Sequence, residues 1–548
     1  LILFEDDHLL VVNKPPGIST HAVHIDGSAG LFDWLRNREP RWSTLATHQR
    51  LDKGTSGVLA FAKSSLANQS LAQQFRLRTL QKTYWLQTDR NPGSLPIRLQ
   101  SQLPKPATTR THSLEPNTPG LNAETTFELV DYSAHRWTLR AIPHTGRSHQ
   151  IRMHAREAGF PILGDTRYGG SPSHRLHLHS HTLTLTHPAT LAPIEFRADI
   201  NFNSTPQTQL RRALWPEFSE TQPSPNPTPI HTAWRLVHGA SDGFPGWYVE
   251  RIQKNLRSVA DSPLTSDQQA HLMAWIHELN LDGFSHQIRA QTILSPPPTP
   301  PATKAEDVAP TLGPHLAPTT HLIHENGVRF WVQLNASPEN PLHLDQRDNR
   351  RRLLTRHVAR NFALIAPEFT DEIAVLDTFP LSDGFSLCAA ISGAHITNLR
   401  SSSPPDPTAI TSFQLNNVDP SQHNLHPCTD IGQSLLHRFH DLTTHYNLIL
   451  LDASAVAQPP LTCNSTSSPQ DWEQLILCAL EKLKPQGVIF CSSRDPHLRH
   501  DAFLHSIQVA VSKAQRHITQ EFFAPQPPDF PTSAVEPGYL KSCWLRIR

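Results

Sequence analysis

His48-Gln49-Arg50-Leu51-Asp52-Lys53-Gly54-Thr55-Ser56-Gly57 runs directly into Val58-Leu59-Ala60-Phe61-Ala62. The first stretch is polar and turn-forming, and the second is an unbroken apolar run, the pattern of a buried strand. One aspartate, preceded by an arginine and followed by a glycine turn, is thereby presented on a rigid edge. A loop aspartate alone is more often a turn residue or a cap than a catalyst, so its neighbours must decide.

His-x-Arg-Leu-Asp-x-x-Thr-Ser-Gly resembles the signature loop of the RluA-type pseudouridine synthases, which isomerise uridine in ribosomal and transfer RNA. Further stretches on either side match that family in order. Upstream, Glu5-Asp6-Asp7-His8-Leu9-Leu10-Val11-Val12-Asn13-Lys14-Pro15-Pro16-Gly17 looks like its entry strand and turn. Downstream, Thr145-Gly146-Arg147-Ser148-His149-Gln150-Ile151-Arg152 and Gly164-Asp165-Thr166-Arg167-Tyr168-Gly169 look like its closing motifs. The resemblance covers roughly residues 1–200. It implies an α+β domain with a mixed, mainly antiparallel sheet, and a reaction without cofactor in which uracil is both leaving group and returning nucleophile.

The resemblance also implies roles. Asp52 is the carboxylate at C1′, either adding covalently or managing charge there. Arg152 is the cation that keeps it ionised, with Arg147 as a rival in the same motif. Tyr84, in the strand-like Lys82-Thr83-Tyr84-Trp85-Leu86, stacks on the target base, and the family also implicates its hydroxyl in moving a proton; the plainer alternative is a half-buried strand aromatic. Arg50, Thr55, Arg147, His149 and Gln150 fall on the substrate side. Because a paired uridine cannot present C1′ to a carboxylate, base flipping or action on a loop is expected.

Local patterns add detail. Ser65 to Gln81 reads as a helix with Leu66, Leu71 and Phe75 as its apolar stripe. Phe127 to Ile142 reads as two strands. From Ser148 the pattern is helical again: Ile151, Ala155 and Ala158 share one face, and His149, Arg152 and Arg156 another. Thr145 to Ser148 would leave N–H groups free for a phosphate at that helix start, and Gly159 would cap its end. His177, His179 and His181 alternate along a strand. They are read as strand histidines rather than metal ligands, in a chain holding 34 histidines.

At 548 residues the chain is too long for one core. Residues 1–200 hold 22 Lys+Arg against 16 Asp+Glu and the remainder 26 against 32, so a mildly basic first domain suits a polyanion. The six cysteines (388, 428, 463, 478, 491, 543) are scattered without a Cys-x-x-Cys pair, which reads as a reducing, cytoplasmic setting without structural zinc. No apolar run is long enough for a membrane span, and no signal peptide is evident. The first residue is leucine, which leaves room for a preceding segment, in some relatives a small RNA-binding module. RNA, either 23S ribosomal or transfer RNA, is the expected partner, with no DNA, membrane or metal.

The expected domains are 1–202 for the synthase, a proline-rich linker at 203–230, a central α+β region at 231–335 with a proline-rich insertion at 295–320, and an α/β region at 336–548. From Thr232-Ala233-Trp234-Arg235-Leu236-Val237-His238-Gly239 onward the chain resembles RlmI-type class I S-adenosylmethionine-dependent rRNA methyltransferases, as do Leu344-Asp345-Gln346-Arg347-Asp348-Asn349-Arg350 and Pro537-Gly538-Tyr539-Leu540-Lys541. That implies a Rossmann-type sheet. Its cofactor motifs are eroded. The first loop keeps Asp377 and Gly384 but no Gly-Gly pair, the second strand runs into Arg400 and serines where a ribose-binding acid is expected, and Asp452 is not followed by Pro-Pro. Asp377, Gly384 and Asp452 are the cofactor candidates that remain; Cys491 is either a nucleophile or a core thiol. Three readings stand: a synthase with an inactive methyltransferase-like RNA-positioning region, a bifunctional synthase and methylase, or a non-catalytic RNA-binding protein.

Overall fold

The computed structural model describes residues 1–21, 30–103, 121–200, 202–204, 208, 210, 214–215, 230–288, 320–333, 342–369, 372–380, 383–399, 407–425, 439–453, 469–495, 498–533, 535–536 and 538–548. Nearly all of the expected linker and proline-rich insertion lie outside these residues, as do Arg400, the serines after it and Pro537. The chain forms two compact units, of which the first comprises Leu1–Val23, Gly30–Arg36 and Arg41–Leu214.

The first unit is built on one nine-stranded sheet. Its strands are β1 (Ile2–Glu5), β2 (Leu9–Lys14), β3 (Ser56–Ala62), β4 (Gln81–Thr88), β5 (Ile97–Leu103), β6 (Leu121–Ser133), β7 (Arg136–Pro143), β8 (Leu178–Thr186) and β9 (Pro193–Arg197). The order is β1-β2-β3-β8-β4-β7-β6-β5, with β9 on β8. Every pairing is antiparallel except β3 with β8, which touch in parallel only at Ser56–His179 and Gly57–Ser180. Gly57, at φ +114°, is required there, because a Cβ would collide with the Ser180 backbone. This close crossing sets the loop of Asp52 beside the middle of β4.

Among the described residues three α-helices accompany the sheet: α1 (Leu31–Arg38), α2 (Ser65–Leu77) and α3 (Gln150–Glu157). Ser64 caps α2 by accepting from the Ala67 N–H, and Arg78 ends it in the left-handed region. The buried face of α2 is Ala67, Leu71 and Gln74, while Leu66 is 49% exposed. The expected stripe is corrected here: five residues separate Leu66 from Leu71, about 140° around a helix, so one face cannot hold both. Helix α3 buries Ile151 and Ala155 against Leu86, Phe127, Leu139 and Phe160. Gly159, at φ +85°, follows its end.

The second unit opens with β10 (Ala233–His238), β11 (Trp247–Ile252), β12 (Asn255–Ala260) and β13 (Gly283–Ile288), hydrogen-bonded in that order and backed by α4 (Ser266–Leu279). Trp247 stacks on Trp275 of α4 with ring centroids 5.7 Å apart. Two hairpins follow, β14 (Thr320–Glu325) with β15 (Val328–Gln333) and, beyond α5 (Arg347–Thr355), β16 (His357–Ala359) with β17 (Phe362–Ala363).

A six-stranded sheet then takes β18 (Ile373–Asp377), β19 (Ala394–Asn398), β20 (Tyr446–Ala453), β21 (Leu483–Ser493), β22 (Ile518–Phe523) and β23 (Lys541–Ile547) in the order β19-β18-β20-β21-β23-β22. The first four are parallel, and β23 runs antiparallel to both its neighbours. The helices between strands are α6 (Gly384–Ile391), α7 (Pro407–Leu415), α8 (Pro469–Lys482) and α9 (His500–Lys513). Alternate strand residues divide between two cores: Leu448, Leu450, Val488 and Phe490 enter one, and Ile449, Leu451, Ile489 and Cys491 the other. A parallel sheet buried on both faces, with its order reversing between β18 and β20, is the Rossmann-type architecture. No described helix is long and apolar enough to cross a membrane.

Candidate active site

Asp52 sits in the turn before β3. Thr20 pins the preceding residue, its hydroxyl bonding both the N–H (3.0 Å) and the carbonyl (2.9 Å) of Leu51. The Thr55 N–H closes the turn on the Asp52 carbonyl at 3.0 Å. The Asp52 side chain is 21% exposed and accepts from Arg152 Nη1 at 3.0 Å. Arg152 is in turn gripped from behind by Asp165, with Nε to Oδ2 at 2.7 Å and Nη2 to Oδ1 at 2.8 Å. The Asp165 side chain is 1% exposed. One guanidinium thus bridges a buried carboxylate and an accessible one, and both hold its pKa above the ordinary arginine value against the opposing effect of burial.

Tyr168 completes this wall. The Arg152 guanidinium lies over its ring at 5.0 Å, and its hydroxyl meets His149 Nδ1 at 2.9 Å. His149 is held at φ +55° immediately before α3, with Nε2 3.7 Å from Asp52 Oδ1. Burial lowers the pKa of its imidazole, partly offset by Asp52.

Tyr84 lies on β4, paired in register with Ser180 of β8 and Ala141 of β7. Its side chain is half-buried and its hydroxyl bonds Ser180. Burial pushes the phenol up to about 12, and the Asp52 charge adds to that. Tyr84 therefore stays protonated at neutral pH.

The remaining expected residues separate. Arg50 is exposed beside the turn. Arg147 does not compete for Asp52: its Nε bonds the Asn122 carbonyl at 3.2 Å. Two expectations need correction. Gln150 is 4% exposed and spent internally, accepting from the Thr145 hydroxyl (2.7 Å) and the Arg147 N–H (3.0 Å) and donating to the Glu124 carbonyl (2.9 Å). It folds the Thr145 loop, and it also occupies an N–H expected to await phosphate. Thr55 is 2% exposed, with its hydroxyl turned inward. Gln150 serves a turn whose own backbone needs partners, whereas the buried Thr55 hydroxyl has no hydrogen-bond partner among the described residues.

Lys14, which carried no assigned role, lies beneath the loop. It is fully buried at the end of β2, with Nζ on the carbonyls of Pro15 (3.0 Å), Ile18 (2.7 Å) and Lys53 (3.4 Å). Burial lowers its pKa to about 7, opposed by Asp52. Asp165 and Tyr168 were likewise visible only as letters of a closing motif. The signal that could have found Lys14 is a lone lysine ending an apolar strand ahead of Pro-Pro-Gly.

The histidine strand is structural. His179 Nδ1 meets the Ser56 hydroxyl at 2.8 Å and its Nε2 the Ala198 carbonyl at 2.9 Å, while His177 lies between Gln87 and Ser173. Among the described residues no group of His, Cys, Asp or Glu could hold a metal ion.

In the second unit the cofactor candidates bond to one another's surroundings rather than opening to a ligand. Asp377 (2% exposed) accepts from Ser386 at 2.7 Å, Ser386 also donates to Asn398 at 2.9 Å, and Asn398 donates to Asp383 at 2.9 Å. Burial lifts Asp377 to about 7. The second strand ends in this buried asparagine, so among the described residues its end presents no carboxylate to ribose hydroxyls. Gly384 is buried at the start of α6. Asp452 accepts from Gln346 at 2.9 Å and faces Arg494 at 3.6 Å. These residues do not fit S-adenosylmethionine. Cys491 is fully buried opposite Cys543, its thiol pushed well above the usual range, so the nucleophile alternative is excluded and the core-thiol one stands.

Comparison with known proteins agrees with the first unit. The model of the RNA pseudouridylate synthase family matches residues 8–157. The chain is 37% identical over 223 residues to ribosomal large subunit pseudouridine synthase C of Yersinia pestis, covering 39% of this chain and 68% of that one. It is 37% identical over 212 residues to its namesake of Vibrio vulnificus, covering 36% and 65%. The chain thus spans about two thirds of the length of these relatives. A putative methyltransferase structure from Streptococcus mutans aligns with 58% of this chain and 75% of its own at 22% identity, TM-score 0.45. With the carboxylate, its arginine and the matched motifs in one unit, the chain belongs to the RNA pseudouridine synthase family.

Proposed function

We propose that the first unit isomerises uridine to pseudouridine in RNA, ribosomal RNA of the large subunit being the substrate class that its relatives' names suggest. The observation that carries this reading is the carboxylate of Asp52, 21% exposed and held at 3.0 Å by an arginine that a second, buried carboxylate keeps in place. Such an anion is preorganised to meet positive charge developing at C1′.

The target nucleotide enters extrahelically. Arg50 is exposed beside the turn and suits a phosphate of the displaced strand. Asp52 engages C1′ as the bond to N1 breaks, with the bonding pair leaving on the uracil. Tyr84 keeps the freed base against the sugar while it turns to present C5. The bond from C5 to C1′ then forms, and the C5 proton is lost as N1 gains one. Atoms and electrons balance within the nucleotide, so the isomerisation consumes no co-reactant. The second unit, whose residues do not fit the methyl donor, serves as an RNA-positioning region.

Carbodiimide-stopped primer extension on ribosomal and transfer RNA tests this reading, in cells expressing the intact chain or Asp52→Asn. A stop seen with the intact chain and absent with the variant, which still binds RNA, is the expected result and names the uridine. Identical stops in both, at equal expression, would refute it.

A further inference from the structure

We propose that His149 is the base that removes the C5 proton after the carbon–carbon bond has formed; this deepens the isomerase reading above and rests on it. The step needs an acceptor beside Asp52, because C5 must be drawn against the C1′ atom that Asp52 addresses.

Few described side chains around Asp52 can serve. Arg152 carries no lone pair to offer. Lys14 directs its Nζ at three carbonyls and is shut from the surface. The Tyr84 hydroxyl is engaged with Ser180 and stays protonated at neutral pH. Asp52, released from C1′ once C5 has bonded there, has its carboxylate held by the Arg152 guanidinium at 3.0 Å, which makes it a weak base. His149 differs from all of these. Its Nε2 reaches to 3.7 Å from Asp52 Oδ1, its side chain is 22% exposed, and its other nitrogen is anchored on the Tyr168 hydroxyl at 2.9 Å. With Nδ1–H donated to Tyr168, Nε2 presents a lone pair toward the place C5 must occupy.

The backbone supports the assignment. His149 sits at φ +55°, and while its carbonyl accepts the Met153 N–H of α3 at 3.0 Å, its side chain makes no capping bond and is left for the site. This conformation aims the ring between Tyr168 and Asp52. The charged groups facing the ring are Asp52, Asp165, Arg152 and Arg167; burial and the two guanidiniums favour the neutral, proton-accepting form, against the two carboxylates.

The balance is closed. When C5 joins C1′, N1 and C6 are doubly bonded and C5 carries both the hydrogen and the sugar. Nε2 takes the C5 proton, the C–H pair forms C5=C6, and the N1=C6 pair returns to N1. N1 is then protonated from water, and the imidazolium gives its proton back to solvent.

The test uses the full chain and large-subunit ribosomal or transfer RNA transcripts made with uridine or 5-deuterouridine. His149→Gly tolerates the left-handed backbone and so preserves the turn. The expected result is a fall in turnover of about 10²–10⁴-fold, a deuterium effect larger than that of the intact protein, and partial rescue by added imidazole. A variant that turns over normally overturns the proposal. So does one that is slow without a larger isotope effect and without rescue, since a purely structural residue behaves that way. If the intact chain itself releases no C5 hydrogen and matches Asp52→Asn, the isomerase reading falls and takes this proposal with it.

Discussion

Asp165 never needs to touch RNA for its loss to be felt at C1′. Two of the three carboxylate contacts of Arg152 go to Asp165 and one to Asp52. Asp165→Asn retains one acceptor and turns an NH2 group toward the guanidinium, so one charge-assisted bond is lost and two donors face each other. A hydrogen bond to a charged group contributes about 1.5–3 kcal/mol, and removing one partner from a buried ion pair costs about 3–5 kcal/mol. Because Arg152 keeps Asp52, the hydrogen-bond figure applies rather than the full ion-pair cost, and a loss of about 1.5–3 kcal/mol in unfolding free energy is expected. The arginine, released from behind, no longer holds the carboxylate in place. A misplacement of about 1 Å costs on the order of 10²-fold in rate. Urea unfolding of the full chain measures the first effect. Hydrogen release from C5-labelled RNA at saturating substrate measures the second, with RNA affinity by filter binding expected to stay close to that of the intact protein. A variant whose stability and turnover both match the parent, or one that loses affinity and keeps turnover, refutes the clamp.

Other expectations follow from the same geometry. His177 and His179 are buried neutral, with burial lowering their pKa values to about 3 and about 4. The unfolded chain takes up protons at these sites as pH falls below about 6.5 while the folded unit does not, so stability is complete above that pH and drains away between it and about pH 4, at up to about 1.4 kcal/mol per pH unit and site. His179→Gln should flatten that slope in urea titrations from pH 7 to 4, and an unchanged slope would count against it. Isothermal titration of the full chain with S-adenosylmethionine should give no saturable heat, because Asp377, Ser386, Asn398 and Asp383 are bonded among themselves. Saturable micromolar binding would overturn the fit argument. Cys491→Ala, at a packed strand position, should cost about 1–2 kcal/mol of stability and leave every RNA product unchanged.

What could be read from the chain alone was the chemistry carried by contiguous residues. The turn from His48 to Gly57, the apolar run behind it, the Tyr84 strand and the helix of Arg152 are local patterns, and local backbone preference and side-chain periodicity suffice to place them. The choice of Arg152 over Arg147 depended on a resemblance, since only the tertiary arrangement measures 3.0 Å from one to Asp52 and leaves the other on Asn122. Gln150 went astray because residue type and spacing do not reveal which turn must spend its polar groups on its own backbone, Thr55 because its burial is set by the fold, and Leu66 because a five-residue step turns about 140° around a helix. Lys14, Asp165 and Tyr168 needed contacts made across the fold, with partners 39, 13 and 19 residues away, and such pairings leave no mark on sequence spacing. Erosion in the second region was legible at Asp452. The chain of bonds from Asp377 through Ser386 and Asn398 to Asp383 was not, because a buried polar group finds its partner only when strand ends and helix starts are brought together.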